Sequence, residues 1–339
     1  MPAPDPIARP VLELMDGFRA SKALFVAVSL GVFDRLHEGP QTAAELASRL
    51  DCAPHALERL LGFLASRALL EVDAHGIFRN RETATRFLRT DAEETLAGYI
   101  LYSDRILYRL WGRLEDALHE GSNRWTQEFG SKDGIFDHFF SSDQDKETFL
   151  RGMHGLGLQS SPKAVAAFDL SRFRTLVDLG GGTGHLVTAA CRRYEGLHGK
   201  VFDLPAVQPV AERYIREAGL SDRIDVLAGD FFSDALPEAD LYAMGRILHD
   251  WSDEKVEILL RRVAERLPPG GGLLLCEQLL TPRKDGAPTA LLQSLNMLIC
   301  TEGRERSAAE YEKLLREAGF GEVRSAKLQA PVDVVLAVK

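Results

Sequence analysis

The stretch that decides the fold is Asp178-Leu179-Gly180-Gly181-Gly182-Thr183-Gly184, which continues a short apolar run at residues 176–179. A glycine-rich turn between a strand and a helix is typical of a nucleotide or nucleoside site, because glycine allows positive φ and close approach of backbone N–H groups to a ligand. The dinucleotide fingerprint G-x-G-x-x-G would require glycine at position 185, where the chain has His185. The spacing acid-x-Gly-x-Gly-x-Gly instead fits a cofactor without a pyrophosphate, whose methionine portion lies across the loop.

Short apolar runs alternate with helical patterns after residue 173, which is typical of a parallel sheet covered by helices on both faces. The predicted strands are residues 176–179, 200–204, 224–227, 239–244 and 273–277, with helices at 206–218 and 253–267. Residues 322–328 and 332–338 predict a closing antiparallel hairpin. The predicted fold class is α/β, a Rossmann-like sheet that is parallel with an antiparallel last strand.

The N-terminal part of the chain has shorter helices. Its apolar pattern predicts two helices broken near Gly31, a third that starts with the capping box Thr42-Ala43-Ala44-Glu45, and a fourth after Pro54. A small hairpin is predicted over residues 69–79. Because this order resembles a winged helix, residues 10–92 are assigned to a helical winged-helix-like dimerisation domain.

Winged helices often bind DNA, so that alternative needs its own test. A recognition helix would use several Lys and Arg side chains to neutralise phosphates, whereas the candidate helix carries only Arg59 and Arg67 against Glu58. The net charge of the chain is -9, which disfavours nucleic acid as a partner. A role in packing between two copies of the chain is therefore favoured.

Residues 93–339 are predicted to combine a helical segment that covers the substrate with the domain that binds S-adenosylmethionine. The helical segment is predicted at residues 101–119, 136–140 and 146–159, and it is rich in aromatic side chains. Most of these rings are expected in a helical core, and a few in a pocket for an aromatic substrate.

The cysteine pattern and the hydropathy predict a cytoplasmic protein without a membrane span. The cysteines, Cys52, Cys191, Cys276 and Cys300, are far apart and form no CxxC pair, so neither a disulfide framework nor a structural metal site is expected. No apolar run approaches the ~20 residues that cross a bilayer. The first six residues lack the apolar core of a signal peptide and are expected to form a disordered tail.

Carboxylates follow the next two predicted strands. Asp203 ends the second strand, where a carboxylate accepts hydrogen bonds from ribose hydroxyls. Asp230 follows the third strand in Gly229-Asp230-Phe231 and is expected to accept from an adenine amino group, with Phe231 covering the ring. The alternative for each aspartate is a loop or helix-capping role, but ligands of open α/β sheets bind at these strand ends.

His249 follows the fourth strand and is the first candidate for a general base. A sulfonium methyl donor needs no activation, so the protein must orient an acceptor oxygen and remove its proton. A histidine with an ordinary pKa near ~6.5 is often neutral enough for that task. His154 is the second candidate, His185 is expected to cap the helix after the glycine loop, and Arg246 is expected to pair with the carboxylate of the methionine portion.

Two glutamates are candidates for orienting the imidazole. Glu277 ends the fifth strand and Glu305 lies in Gly303-Arg304-Glu305-Arg306, and spacing alone does not choose between them. Asn296 lies on an otherwise apolar helix, where its amide needs either an internal hydrogen-bond partner or a substrate.

These motifs together resemble the plant-type O-methyltransferase family, and within it the acetylserotonin branch. The resemblance covers nearly the whole chain and is carried by residues 177–184, 201–205, 229–232, 246–251 and 302–307. It implies His249 as the base with Glu277 and Glu305 supporting it. It further implies that the glycines Gly180, Gly182 and Gly229 and the side chains of Asp203, Asp230, Phe231 and Arg246 hold S-adenosylmethionine. The residues implied to border a small aromatic hydroxyl substrate are Asp250, Asn296, Met297, Met153 and Tyr108.

The resemblance also implies a homodimer, and it leaves the natural acceptor open. Cys300 stands where the acetylserotonin enzymes have a glutamine near the substrate, and Phe140 where a tyrosine contacts the cofactor. Gly157 stands where they have a tryptophan, which predicts a roomier pocket. The acceptor is expected to be a hydroxyindole, a phenol or a polyketide-like molecule. The alternative is a catalytically silent binding or regulatory protein that retains the fold.

Overall fold

A computed structural model describes residues 7–130, 142–281, 283 and 287–339 of the chain. The predicted helix at 136–140 and the N-terminal residues 1–6 lie outside these ranges. The chain divides into two compact units, Met1–Ile106 and Leu107–Lys339. Within the described ranges, every helix is too short or too polar to cross a lipid bilayer.

The first unit contains short helices and a small antiparallel sheet of strand order β1-β3-β2. Its elements are α1 (Arg9–Ser29), α2 (Val32–Glu38), β1 (Gln41–Thr42), α3 (Ala43–Leu50), α4 (Pro54–Ser66), β2 (Leu70–Val72), β3 (Ile77–Asn80), α5 (Glu82–Phe87) and α6 (Ala97–Tyr102). Gly31 adopts φ 75°, a left-handed conformation that separates α1 from α2 as predicted. The predicted capping box is confirmed, since Thr42 and Glu45 bond to each other's backbone N–H groups.

The second unit opens with short helices and continues as alternating strands and helices. A π-helical turn, Ser103–Leu107, spans the point in the chain where the first unit ends, and it is followed by α7 (Tyr108–Trp111), α8 (Leu114–Glu120), α9 (Trp125–Phe129) and α10 (Asp143–Ala164). The alternating part comprises β4 (Thr175–Leu179), α11 (His185–Arg193), β5 (His198–Asp203), α12 (Gln208–Glu217), β6 (Ile224–Ala228), β7 (Leu241–Gly245), α13 (Asp253–Arg266), β8 (Gly272–Glu277), β9 (Leu279–Leu280), α14 (Pro288–Cys300), β10 (Arg306–Ser307), α15 (Ala308–Glu317), β11 (Glu322–Ala326) and β12 (Asp333–Val338).

The main sheet has seven strands in the order β11-β12-β8-β7-β4-β5-β6. β8, β7, β4, β5 and β6 pair in parallel, whereas β12 is antiparallel to both β8 and β11. The predicted Rossmann-like class and the closing antiparallel hairpin are therefore confirmed. Since β4 has β5 on one side and β7 on the other, the strand order reverses there, and the loop after β4 opens into the crevice where such sheets bind ligands.

Two helix predictions differ from the structure. The predicted helix at 101–119 is wrong as a continuous element, because α7 ends at Trp111 with Gly112 as its C-cap and α8 starts at Leu114. Glycine weakens a helix interior, so an apolar periodicity that continues past it does not guarantee an unbroken helix. The predicted helix at 146–159 is longer than expected, since α10 begins at Asp143 after the capping residue Ser142 and ends at Ala164.

Candidate active site

One edge of the sheet carries the glycine loop, Asp203, the turn that contains His249, and Glu277, because each of them lies at or just after the carboxyl end of a parallel strand. The register places Leu179 of β4 opposite Phe202, and Asp203 of β5 opposite Ala228. On the other side of the switch point, Gly245 of β7 lies opposite Cys276, the residue before Glu277. The glycine loop, Asp203, the turn after β7 and Glu277 therefore lie along the same crevice.

The glycine loop is held in a conformation that side chains rarely allow. Gly180, Gly182 and Gly184 have φ of 67°, 56° and 77°, all in the left-handed region. A Cβ atom on Gly180 would also lie 2.4 Å from Cδ1 of Ile247, whereas one on Gly182 would meet only Leu150, at 3.9 Å. Gly180 is therefore required by both backbone conformation and close packing, and Gly182 by conformation alone.

Asp203 links this loop to the end of β5. Its Oδ2 accepts a hydrogen bond from Gly182 N at 2.8 Å and its Oδ1 accepts one from Leu204 N at 2.7 Å. Burial raises the pKa of Asp203 to about 6, although both backbone hydrogen bonds lower it. Because each carboxylate oxygen has two lone pairs, the group retains acceptor capacity for two hydroxyls.

Asp178 lies beneath the same loop. Burial, together with the nearby charge of Asp203, raises the pKa of Asp178 to about 8. Its Oδ2 is buried without a hydrogen-bond partner among the described residues. The half-buried carboxylate of Asp203 offers hydrogen-bond acceptors beside a cradle of backbone N–H groups, and such a crevice fits a nucleoside cofactor such as S-adenosylmethionine.

Asp230 and Phe231 form the next part of the crevice, and Asp230 already has local partners. Its Oδ1 accepts from Phe232 N at 2.8 Å and its Oδ2 accepts from Ser233 Oγ at 3.1 Å, so the carboxylate caps its own turn. The ring of Phe231 packs edge-to-face against Phe232 with centroids 4.9 Å apart. A Cβ atom on Gly180 would lie 3.4 Å from this ring, so Phe231 borders the glycine loop.

The turn after β7 has an unusual backbone. Arg246 has φ 57°, which is uncommon for a residue with a side chain and typical of functional sites. After this residue, the N–H groups of Ile247 and Leu248 both donate to Glu277 Oε1, at 3.0 and 2.9 Å. Glu277 thus fixes the backbone that precedes His249.

The imidazole of His249 is buried and faces carboxylates on both sides. Its Nδ1 lies 2.7 Å from Glu305 Oε1 and 3.4 Å from Glu277 Oε2, and its Nε2 lies 3.8 Å from Asp250 Oδ1. Because an ionised carboxylate only accepts hydrogen bonds, Nδ1 carries a proton and donates it to Glu305. The structure therefore gives the hydrogen bond to Glu305 and leaves Glu277 at a longer distance.

This environment makes His249 a strong base. Burial lowers the pKa of His249, but the charges of Glu305, Glu277 and Asp250 outweigh that effect and raise it to about 10. Burial also raises the pKa of Glu277, which shares this buried cluster. The same three groups, His249, Glu277 and Glu305, are close enough together to ligate a metal ion. The short Nδ1–Glu305 contact, however, has the geometry of a hydrogen bond.

The second base candidate, His154, is engaged elsewhere. Its Nδ1 pairs with Thr183 Oγ1 of the glycine loop at 2.7 Å and its ring stacks on Tyr214 with centroids 4.3 Å apart. Burial lowers the pKa of His154 to about 4.

The expectation that His185 caps its helix is wrong, because Gly184 is the N-cap and His185 Nδ1 pairs with Ser161 Oγ at 2.8 Å.

Several of the predicted acceptor-side residues lie on α14. Asn296 Oδ1 accepts from Trp111 Nε1 at 2.9 Å, a partner that the sequence reasoning missed because α7 and α14 are far apart along the chain. Met297 and Cys300 are buried on the same helix. The remaining predicted residues lie on other elements: Met153 is half-buried on α10, Asp250 half-buried beside His249, and Tyr108 partly exposed at the start of α7.

Family profiles match both parts of the chain. The O-methyltransferase domain matches residues 111–321, and the O-methyltransferase dimerisation domain matches residues 12–90. The chain belongs to the O-methyltransferase family. It is an S-adenosylmethionine-dependent enzyme of that family, as its motifs predicted.

Similar proteins support this assignment over the full length of the chain. Bovine acetylserotonin O-methyltransferase is 40% identical, over 96% of this chain and 96% of that protein. The crystal structure of human N-acetylserotonin methyltransferase in complex with SAM superposes with a TM-score of 0.95 at 37% identity, covering 100% of this chain and 99% of the other. A human probable bifunctional dTTP/UTP pyrophosphatase/methyltransferase protein is 42% identical over 98% of this chain, which spans only 54% of that longer protein.

Three residues that differ from those of the acetylserotonin branch, Gly157, Cys300 and Phe140, were expected near the substrate or the cofactor. The space next to Gly157 is not free, because a Cβ atom there would lie 2.4 Å from the ring of His185. The prediction of a roomier pocket at Gly157 is therefore wrong, since an imidazole fills the position. Cys300 is buried and its Sγ lies 3.8 Å from Asn296 Oδ1. Phe140 lies outside the described residues.

Proposed function

We propose that this O-methyltransferase methylates the hydroxyl group of a small aromatic molecule, of the hydroxyindole or phenol class, with His249 as general base. The observation that carries the proposal is the buried Glu305–His249 pair, 2.7 Å long, at the same sheet edge as the glycine loop. A base in this position needs an acceptor proton to remove, and phenolic hydroxyls are mostly protonated at neutral pH, since their pKa is near ~10.

The cofactor side is assigned to residues of the crevice around the glycine loop. Asp203 would accept from the ribose hydroxyls, Phe231 would lie against the adenine, and Arg246 would pair with the methionine carboxylate. The backbone at Gly180, Gly182 and Gly229 allows the close approach. When bound, S-adenosylmethionine supplies an electrophilic methyl group. The role of Asp230 is the least supported, since both of its oxygens already accept hydrogen bonds from the following residues.

On the acceptor side, this chain's task is to orient an oxygen and take its proton. Neutral His249 with Nδ1–H donating to Glu305 presents Nε2 as the proton acceptor. Glu305 stabilises the imidazolium that forms, and Glu277 holds the backbone before it. Asp250, Asn296, Met297, Met153 and Tyr108 are proposed to border the acceptor. The apolar pair Met297 and Met153 suits a flat ring, and the polar pair Asp250 and Asn296 suits its substituents.

We further propose that the enzyme is a homodimer. Support comes from the dimerisation-domain match and from an exposed apolar face on α1, where Leu14 is 82% and Phe18 is 54% exposed. Other exposed apolar residues of this helix are Val11, Leu12 and Met15. Leu14→Glu with Phe18→Glu should give monomers in sedimentation velocity, whereas Asp16→Asn on the same helix should not. A double variant that remains dimeric would rule out this face. The cytoplasmic location stays a prediction from the sequence.

The function is tested by transfer of labelled methyl groups from S-adenosylmethionine to a panel of hydroxyindoles, catechols, flavonoids and polyketide phenols, with products identified by mass spectrometry. The native enzyme should methylate a hydroxyl of at least one class. His249→Ala should abolish turnover and leave cofactor affinity within a few-fold, whereas His154→Ala should mainly raise the KM for the cofactor because His154 bonds to Thr183. Lost cofactor binding with normal turnover at saturation in His249→Ala would make His249 structural.

A further inference from the structure

The segment of residues 303–306, which carries Glu305, also holds the backbone on both sides of His249. Arg306, the next residue, is buried without exposed surface. Its Nη1 donates to Leu248 O and its Nη2 to Trp251 O, both at 2.9 Å. These two carbonyls flank the turn that contains His249. The guanidinium also bonds Asp253, the first residue of α13, through Nε at 2.9 Å and Nη2 at 2.6 Å.

Gly303 brings the same segment against the turn. A Cβ atom on Gly303 would lie 2.2 Å from His249 O and 2.6 Å from Trp251 N, both backbone atoms that cannot rotate away. The segment is itself held by a separate two-stranded sheet, since Arg306 in β10 pairs in parallel with Leu279 in β9, two residues after Glu277. The backbone of the turn therefore packs against the segment at Gly303 and is hydrogen-bonded to it at Arg306.

We propose that Arg306 and Gly303 are positioning residues for His249. The guanidinium of Arg306 clamps the carbonyls of Leu248 and Trp251 through two hydrogen bonds, and the absence of a side chain at Gly303 lets the backbone of the turn pack directly against the segment. This rests on the proposed role of His249. Glu305 fixes the direction of the imidazole ring, whereas Arg306 and Gly303 fix the position of its backbone. Arginine suits the task because its planar guanidinium donates in several fixed directions at once, which lysine cannot reproduce.

The chain offers a matched control in Arg304. Arg304 also bonds Asp253, at 3.1 Å, and bonds Glu310 at 2.7 Å, but its contacts do not include the carbonyls of Leu248 or Trp251. Arg304→Gln therefore removes a comparable charge from the same network without touching the turn. Arg306→Lys retains the charge and some donors, so it should recover part of what Arg306→Gln loses.

The first readout is kinetic. Arg306→Gln should lower kcat about 10- to 100-fold, because a displacement of about 1 Å at a reacting group costs that much. The Kd for S-adenosylmethionine should stay within a few-fold, Arg306→Lys should lie between, and Arg304→Gln should match the native enzyme. Gly303→Ala should reproduce the loss of kcat, and it provides the test of the proposal if Arg306→Gln does not fold. Equal kcat in Arg306→Gln and Arg304→Gln, or a loss confined to cofactor affinity, would overturn the proposal.

The second readout does not require a known acceptor. With 13C-labelled histidine, the ring signal of His249, assigned by its disappearance in His249→Asn, should shift and titrate differently in Arg306→Gln and Gly303→Ala but not in Arg304→Gln. If the native protein methylates nothing while these shifts occur, the proposed function fails and the clamp stands. If the signal is unchanged in both variants, the clamp fails whatever the enzyme methylates.

Discussion

The two sides of the crevice are built by different means. The cofactor side is formed by backbone conformation at successive strand ends, with Gly180, Gly182 and Asp203 held by main-chain hydrogen bonds and positive φ. The base side is formed by side chains from distant positions, since His249 depends on Glu277, Glu305 and Arg306. The first side depends on its glycines, because their positive φ and the close approach of Ile247 to Gly180 leave no room for a side chain there. The second depends on every member of a buried network.

The largest expected effect is on the base side. Glu305→Ala should lower kcat between about 100- and 10,000-fold, because the imidazole loses the partner that fixes its tautomer and stabilises its charge. Glu277→Ala should lower kcat less, since Glu277 Oε2 lies 3.4 Å from His249 Nδ1 and Glu277 Oε1 accepts hydrogen bonds from the backbone instead. Steady-state kinetics at saturating S-adenosylmethionine measure both. A larger loss in Glu277→Ala than in Glu305→Ala would exchange their roles.

The second prediction compares two carboxylates of the cofactor side. Asp203→Ala should raise the Kd for S-adenosylmethionine about 10- to 100-fold, as expected for loss of charge-assisted hydrogen bonds worth about 1.5–3 kcal/mol. Asp230→Ala should have a smaller effect, because its carboxylate caps the local turn. Isothermal titration of each variant gives the two constants. A larger increase in the Kd for Asp230→Ala than for Asp203→Ala would contradict this ranking and support a direct contact between Asp230 and the adenine.

How far the sequence predicted the site follows the same division. The glycine loop, Asp203 and the alternating strands and helices were predictable because each signal is local: a run of glycines, a carboxylate after an apolar strand, and regular spacing. Asn296 bonding to Trp111, and Arg306 clamping Leu248, were not, because these partners are 185 and 58 positions apart and no periodicity links them. Gly157 misled for the same reason, since the ring of His185 fills its space from another helix.

The pH dependence of kcat, a change of about tenfold per pH unit, tests whether the carboxylates set the basicity of His249. Burial lowers the pKa of His249, but the neighbouring carboxylates prevail and raise it to about 10, so at neutral pH the ring is mostly imidazolium and has no lone pair for a proton. As pH rises toward that value, the neutral fraction grows, and kcat should climb between pH 7 and pH 9. Ionisation of the acceptor itself gives a similar rise, and Glu305→Gln separates the two causes. Removing that negative charge lowers the pKa of His249 and should move the rising limb to lower pH, whereas the acceptor ionises as before. A limb that stays in place would show that the carboxylates orient His249 without setting its basicity.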